Sequence, residues 1–177
     1  MRYSRRSALL ITLAGLAGAS SPSIAIAETS HSRPRFRAYS GPEVTDIVIA
    51  KKKRKMWLMS GDKVLKKYRI HLGFQPEGHK QFKGDGKTPE GTYRIDRRNP
   101  ESDFYLSLGI SYPNAQDVAF AKAHGKDPGG DIFIHGKPNK KRPKGRDWTA
   151  GCISVTNRQM EEIYAMVKDG TYVTIYP

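Results

Sequence analysis

The sequence predicts a mostly-β domain, a sandwich or barrel of short strands with a few helices, of which one is clear at about 157–168. Three observations lead there. Short apolar or alternating runs recur between turn residues, one late segment has helical spacing, and no internal repeat is present.

The strands follow in order. Val44 to Ala50 and Met56 to Met59 are short apolar runs, and Val64 to Leu72 carries spaced apolar residues up to Gly73, where a turn is expected. Thr92-Tyr93-Arg94-Ile95 follows the turn signal Pro89-Glu90-Gly91. Phe104, Leu106, Leu108 and Ile110 alternate with Tyr105, Ser107, Gly109 and Ser111, which predicts a strand with one buried face. Ile132 to His135 and Tyr172 to Tyr176 complete the set. For the helix, Thr156 and Gln159 have capping-box spacing, and Met160, Ile163, Tyr164 and Val167 then fall on one face. Asp169-Gly170 supplies its stop.

Composition narrows the function classes. The chain has 177 residues, 31 Lys+Arg against 17 Asp+Glu, a formal net charge of +14 and a single cysteine. One cysteine excludes an intrachain disulfide, and without a Cys/His cluster a structural zinc site is excluded too. The charge predicts an anionic partner. At the N-terminus Arg2, Arg5 and Arg6 precede the uncharged run Ala8 to Ala19, and Ala25-Ile26-Ala27 offers a cleavage site. The expectation is a signal peptide over 1–27, a flexible leader over 28–42 and a domain over 43–177. The apolar run is too short for a stable membrane span. Ser4-Arg5-Arg6 with Leu9-Leu10 has some twin-arginine character, with Ala8 in place of the usual Phe. Export to the periplasm leaves a mature chain of about +11. There cell-wall polymers and anionic lipids are abundant and nucleic acid is not an expected partner.

Two residues carry chemistry. His135 ends an apolar run just before Gly136, and Cys152 follows Gly151, 17 residues further on. A thiol with a pKa of about 8.5 needs a base or a positive field to act as a nucleophile near neutrality. An imidazole meets that need when its other nitrogen has an orienting acceptor. The bland alternative is a small buried Cys152 and a strand-end His135. Against it, a lone thiol in an oxidising compartment is exposed to oxidation and mixed disulfides, so one retained there is a candidate for work.

At these residues the sequence resembles the L,D-transpeptidases with the YkuD fold. His135-Gly136, a loop, and then Thr149-Ala150-Gly151-Cys152-Ile153 are similar to that family's signature, and the segment Gly84 to Tyr93 resembles its Thr-Pro-x-Gly turn. The likeness runs from about Val44 to the C-terminus and implies a YkuD-like β-sandwich acting on peptidoglycan stem peptides. It implies Cys152 as nucleophile, His135 as general base and acid, and the Gly136 carbonyl as the group that orients the ring. Gly151 and Cys152 would supply N–H groups to an oxyanion, and Thr149 takes the small hydroxyl position. Many members have Arg where this chain has Ser154. Tyr112, Trp148, Ser154 and Arg146 are candidate substrate contacts. The segments Ile153 to Asn157 and Ser111 to Asn114 are similar to a proteobacterial branch in which some members cut wall-to-lipoprotein links, so a wall-anchored lipoprotein is a further candidate partner. The expected reaction passes through a thioester and needs neither metal nor cofactor. An amine acceptor makes it a transpeptidase, and water makes it an amidase or carboxypeptidase. A second alternative is a non-catalytic, basic wall-binding protein.

The remaining motifs are weaker. Gly86-Lys87-Thr88 is no phosphate loop, because Gln81 stands where the first glycine belongs and Pro89 opposes the helix. Lys51 to Lys55 is expected to be a solvated connection. His31, His71, His79 and His124 lack metal-ligand spacing, and Trp57 is expected to pack. Lys137, Lys140, Lys141, Arg142, Lys144 and Arg146 crowd the loop between His135 and Cys152, where they would draw in stem carboxylates.

Overall fold

A computed structural model describes Pro34, residues 36–140 and residues 143–177. The expected signal peptide, His31, Lys141 and Arg142 lie outside those residues. The chain order is β1 (Asp46–Ala50), β2 (Lys55–Ser60), β3 (Lys63–Arg69), β4 (Gly91–Asn99), β5 (Ser107–Ile110), α1 (Ala115–Ala123), β6 (Phe133–His135), β7 (Ile153–Ser154), α2 (Asn157–Met166) and β8 (Tyr172–Tyr176).

The strands form one sheet in the order β3-β2-β1-β8-β4-β5-β6-β7. Two pairings are parallel, β1 with β8 and β6 with β7. Strand β4 serves both halves. Gly91 to Arg94 pair with β8, and Ile95 to Asn99 pair with β5 across a register shift between Ile95 and Arg97. Such an irregularity bends a strand and increases its twist, which turns the second half of the sheet. The far end curls back, because the chain after β3 returns to β7: His71 and Ser154 exchange backbone hydrogen bonds of 2.9 and 2.8 Å, and Gly73 bridges to Thr149. The mostly-β expectation therefore holds, in the form of one curled sheet.

Alternation builds the core. Ile47 and Ile49 of β1, Leu58 of β2, Ile95 of β4, Ile134 of β6, Ile153 of β7 and Val173 of β8 are fully buried. Met160, Ile163 and Tyr164 of α2 close the same cluster, as their spacing predicts. The capping box at Thr156 is formed in both directions, and the helix stops at Met166, slightly before the expected end, because Val167 is extended.

Four expectations change. First, only Ser107 to Ile110 of the alternating segment is strand, and all four residues are buried. The strand lies between β4 and β6, and α2 packs on it. Second, a helix unread in the sequence, α1, forms after Asn114, whose side chain caps it in a box with Asp117. Its apolar Val118 and Phe120 are exposed, so it has no apolar stripe to read. Third, Lys51 is buried rather than solvated. Its Nζ donates to the carbonyls of Gly78 and Thr88 and to Glu90 Oε1, which ties the β1–β2 turn to the long loop before β4. Fourth, part of the leader is engaged: Arg37 pairs with Glu161 at 3.0 Å and Phe36 packs near Tyr164.

Candidate active site

The parallel pairing of β6 with β7 sets Ile134 beside Ile153 and His135 beside Ser154. Ile134 and Ile153 are core residues. One step along each strand the side chains face the other way, which points His135 and Cys152 to a common side. Both line a cleft of about 470 Å³, with Phe104, Asp131, Phe133, Trp148, Thr149 and Ala150 among the other walls. That volume suits a short peptide segment.

His135 is buried, and its ring lies 4.5 Å from that of Phe104 and 5.7 Å from that of Trp148, centre to centre. Nδ1 is 2.7 Å from the carbonyl oxygen of Gly136. A carbonyl can only accept, so Nδ1 carries the proton and Nε2 keeps its lone pair. Burial pushes the ring pKa down to about 4; the Gly136 contact works against this and the Lys137 charge adds to it. At pH 7 only about one molecule in a thousand then carries an imidazolium.

Cys152 is the single cysteine, and its Sγ lies 3.4 Å from the Asp131 carbonyl oxygen. Burial raises its pKa; a backbone hydrogen bond from Phe133 and the charge of Lys80 oppose the rise, and Asp131 adds to it. Both the thiol and the imidazole are thus neutral at pH 7.

Thr149 fixes the turn that carries the thiol. Its Oγ1 donates to the Cys152 carbonyl at 2.7 Å and accepts the Gly151 N–H at 3.2 Å. The N–H expected to face an oxyanion is therefore held by Thr149. Gly151 has φ +132, and a Cβ there would lie 2.7 Å from the Lys87 carbonyl oxygen, so only glycine fits. This contact explains the Gly84–Gly91 loop, which Asp85 organises by accepting the N–H groups of Gln81, Phe82 and Lys87.

The other candidate residues separate. Trp148 lines the cleft, as one reading of the sequence allowed. Arg146 is exposed on the loop and is not among the lining residues. Tyr112 is a correction: it is buried and donates to the Pro128 carbonyl at 3.0 Å, with its ring packed edge-on against Tyr93, and it does not line the cleft. Ser154 is also buried, and its hydroxyl donates inward to the Gly136 carbonyl at 3.2 Å. Phe104, Asp131 and Phe133 were not singled out in the sequence. Phe104 was hidden as a strand residue, and Asp131 acts through its carbonyl, which no side-chain pattern reports. Among the described residues no group of His, Cys, Asp and Glu could hold a metal ion.

The curled β-sheet thus sets a thiol and a tautomer-fixed imidazole at neighbouring strand ends, in one cleft. Residues 45–175 match the profile of the YkuD L,D-transpeptidase catalytic domain, and the chain belongs to that family. The family acts on peptidoglycan peptides. The chain is 28% identical over 178 residues to an Escherichia coli (strain K12) protein named "Putative L,D-transpeptidase YafK", covering 94% of this chain and 65% of that one. The helical cell shape determining protein Pgp2 of Campylobacter jejuni is similar in structure, with a TM-score of 0.60 and 25% identity over 81% of this chain and 51% of that one. Bd1075 of Bdellovibrio bacteriovorus has a TM-score of 0.53 and 25% identity, covering 76% of this chain and 48% of that one. This chain thus spans less than two thirds of YafK and about half of each solved relative.

Proposed function

We propose that this chain is an exported peptidoglycan L,D-transpeptidase in which Cys152 is the nucleophile and His135 the general base and acid. The observation that carries the reading is the shared cleft of the single cysteine and a histidine whose Nε2 is left unprotonated by the Gly136 contact. His135 Nε2 takes the thiol proton as Sγ attacks the carbonyl of the third stem residue, at its bond to the D-residue in position four. The Cys152 N–H, joined by Gly151 once Thr149 releases it, faces the oxyanion. His135 then gives the proton to the leaving D-residue amine, and a thioester remains. An amine from a second stem or from a wall-anchored protein, deprotonated by His135, attacks the thioester and returns the thiol. The thioester retains the energy of the cleaved bond, which is why a covalent nucleophile suits a compartment without ATP.

The basic loop after His135, with Lys137, Lys140, Lys144 and Arg146, draws in stem carboxylates and the anionic wall, an effect that salt weakens. Phe104 and Trp148 give the donor stem an apolar wall. A second reading has water as acceptor. It uses the same thioester and trims stems or releases wall-bound lipoprotein. Incubation with tetrapeptide-rich peptidoglycan and mass spectrometry of the muropeptides tests both: crosslinked products report the amine route and shortened stems the water route. Unchanged muropeptides, or the same products from Cys152→Ala, would leave only a basic wall-binding protein.

A further inference from the structure

We propose that Ser154 and Asn157 are positioning residues that clamp one peptide unit, Gly136–Lys137, from both ends and so fix the tautomer and aim of His135. The inference rests on the reading of His135 as the catalytic base. Its geometry is independent of that reading.

The carbonyl of Gly136 and the N–H of Lys137 belong to the same planar amide. The carbonyl accepts the Nδ1 proton of His135 at 2.7 Å and the Ser154 hydroxyl at 3.2 Å. The other acceptor near that hydroxyl, the Val155 carbonyl, is farther at 3.5 Å. At the opposite edge of the amide, the Lys137 N–H donates to Asn157 Oδ1 at 2.7 Å. Turning the plane away from His135 therefore breaks both outer contacts at once.

The plane needs such a hold. Strand pairing secures the chain only as far as Gly136, through Val155 N–H to the His135 carbonyl and Gly136 N–H to the Leu106 carbonyl. The amide beyond lies outside the ladder, and it follows a glycine, whose backbone has the widest freedom. The glycine is itself required, since a Cβ at Gly136 would stand 2.7 Å from Asn157 Oδ1 and 2.9 Å from the Phe104 carbonyl oxygen. The small residue that makes room for Asn157 is thus the one whose amide Asn157 must restrain.

The two contacts differ in kind. A hydrogen bond from the Lys137 N–H polarises the amide and makes its carbonyl a better acceptor for the imidazole. The Ser154 hydroxyl uses the carbonyl's second lone-pair direction and so fixes where the first one points. Ser154 is on β7 and Asn157 is the first residue of α2, so the connection just after Cys152 controls the base as well as the nucleophile. This also assigns work to Ser154 where many relatives of this type have Arg: it is turned inward and fully buried, and it acts on His135 rather than on the donor stem.

The test labels histidine with ¹⁵N and reads the His135 tautomer from long-range ¹H–¹⁵N correlations at pH 7. The wild-type chain is expected in the Nδ1–H form alone. Ser154→Ala and Asn157→Ala are each expected to show a mixture of tautomers. Each should lower kcat on tetrapeptide donors about 10- to 100-fold, the range seen when partners that orient metal-ligating histidines are removed, with KM unchanged. Asn157→Asp keeps an acceptor for the Lys137 N–H and should recover both the tautomer and most of kcat. If buried Ser154→Ala does not fold, the Asn157→Ala and Asn157→Asp pair carries the test alone. Folded variants that keep a pure Nδ1–H ring and wild-type kcat would overturn the clamp. Wild-type protein that turns over no donor would instead refute the wider functional reading, and the tautomer measurement would still decide the clamp.

Discussion

Acidification from pH 7 to pH 4 should remove a defined share of the native state's stability through one side chain, His135. Its ring is buried and its pKa lies at about 4 in the folded chain, against about 6.5 in an unfolded one. Between those values the unfolded state binds a proton that the native state refuses. Stability from this group is therefore complete above pH 6.5 and is lost as the pH falls toward 4. Each pH unit of that window is worth about 1.4 kcal/mol, so the total is about 3 kcal/mol. Urea denaturation at pH 7, 6, 5 and 4 of the wild type and of His135→Gln isolates the effect. Asp85 and Asp147, whose hydrogen bonds and ion pairs hold their pKa values low despite burial, lose stability in acid too, but equally in both chains. The wild-type advantage at pH 7 should shrink by about 3 kcal/mol by pH 4. Parallel pH profiles for the two proteins would refute the buried, neutral imidazole.

Other consequences are as direct. Alkylation of Cys152 by iodoacetamide in the unliganded protein should rise with pH with a midpoint above that of a free thiol, about 8.5, because burial raises its pKa; a plateau reached near pH 6 would indicate a preformed ion pair instead. Thr149→Ala removes the hydroxyl that joins the Gly151 N–H to the Cys152 carbonyl. It should cost about 1–2 kcal/mol in urea melts and lower kcat more than it raises KM, whereas Thr149→Ser should retain both. Asp147 accepts three contacts from the Arg54 guanidinium and one from the Leu72 N–H. Asp147→Ala should destabilise by about 2–3 kcal/mol, since it strands a half-buried cation at the loop that holds Trp148. Ile134→Ala opens a cavity under the strand that ends in His135, and thermal unfolding should show a loss of about 2–5 kcal/mol.

What the sequence discloses here depends on whether a residue acts by its own side chain. The α2 helix is legible because Thr156 and Gln159 cap it and an apolar stripe follows. Most strands are legible because their inward residues alternate or cluster. The α1 helix is silent because its cap is an Asn–Asp box and its large apolar residues, Val118 and Phe120, are exposed. Strand β7 has two residues, too few for a period. Lys51 misleads because charge in a basic run suggests solvent, while three oxygens from distant segments satisfy its ammonium. In the site, the rarity of Cys152 and the signature around it made the thiol and His135 stand out. The groups that hold them work through backbone: Asp131 by its carbonyl, Ser154 and Asn157 by gripping the Gly136–Lys137 amide. Those roles exist only once the chain has folded.

The proposed reaction passes through a covalent acyl-Cys152 state, which intact-protein mass spectrometry observes directly. After brief incubation with a disaccharide-tetrapeptide donor, the wild-type chain should gain the mass of the donor less its terminal D-residue, localised to Cys152 by peptide mapping and absent from Cys152→Ala. Muropeptides processed with equal efficiency by the Cys152→Ala chain would contradict the account.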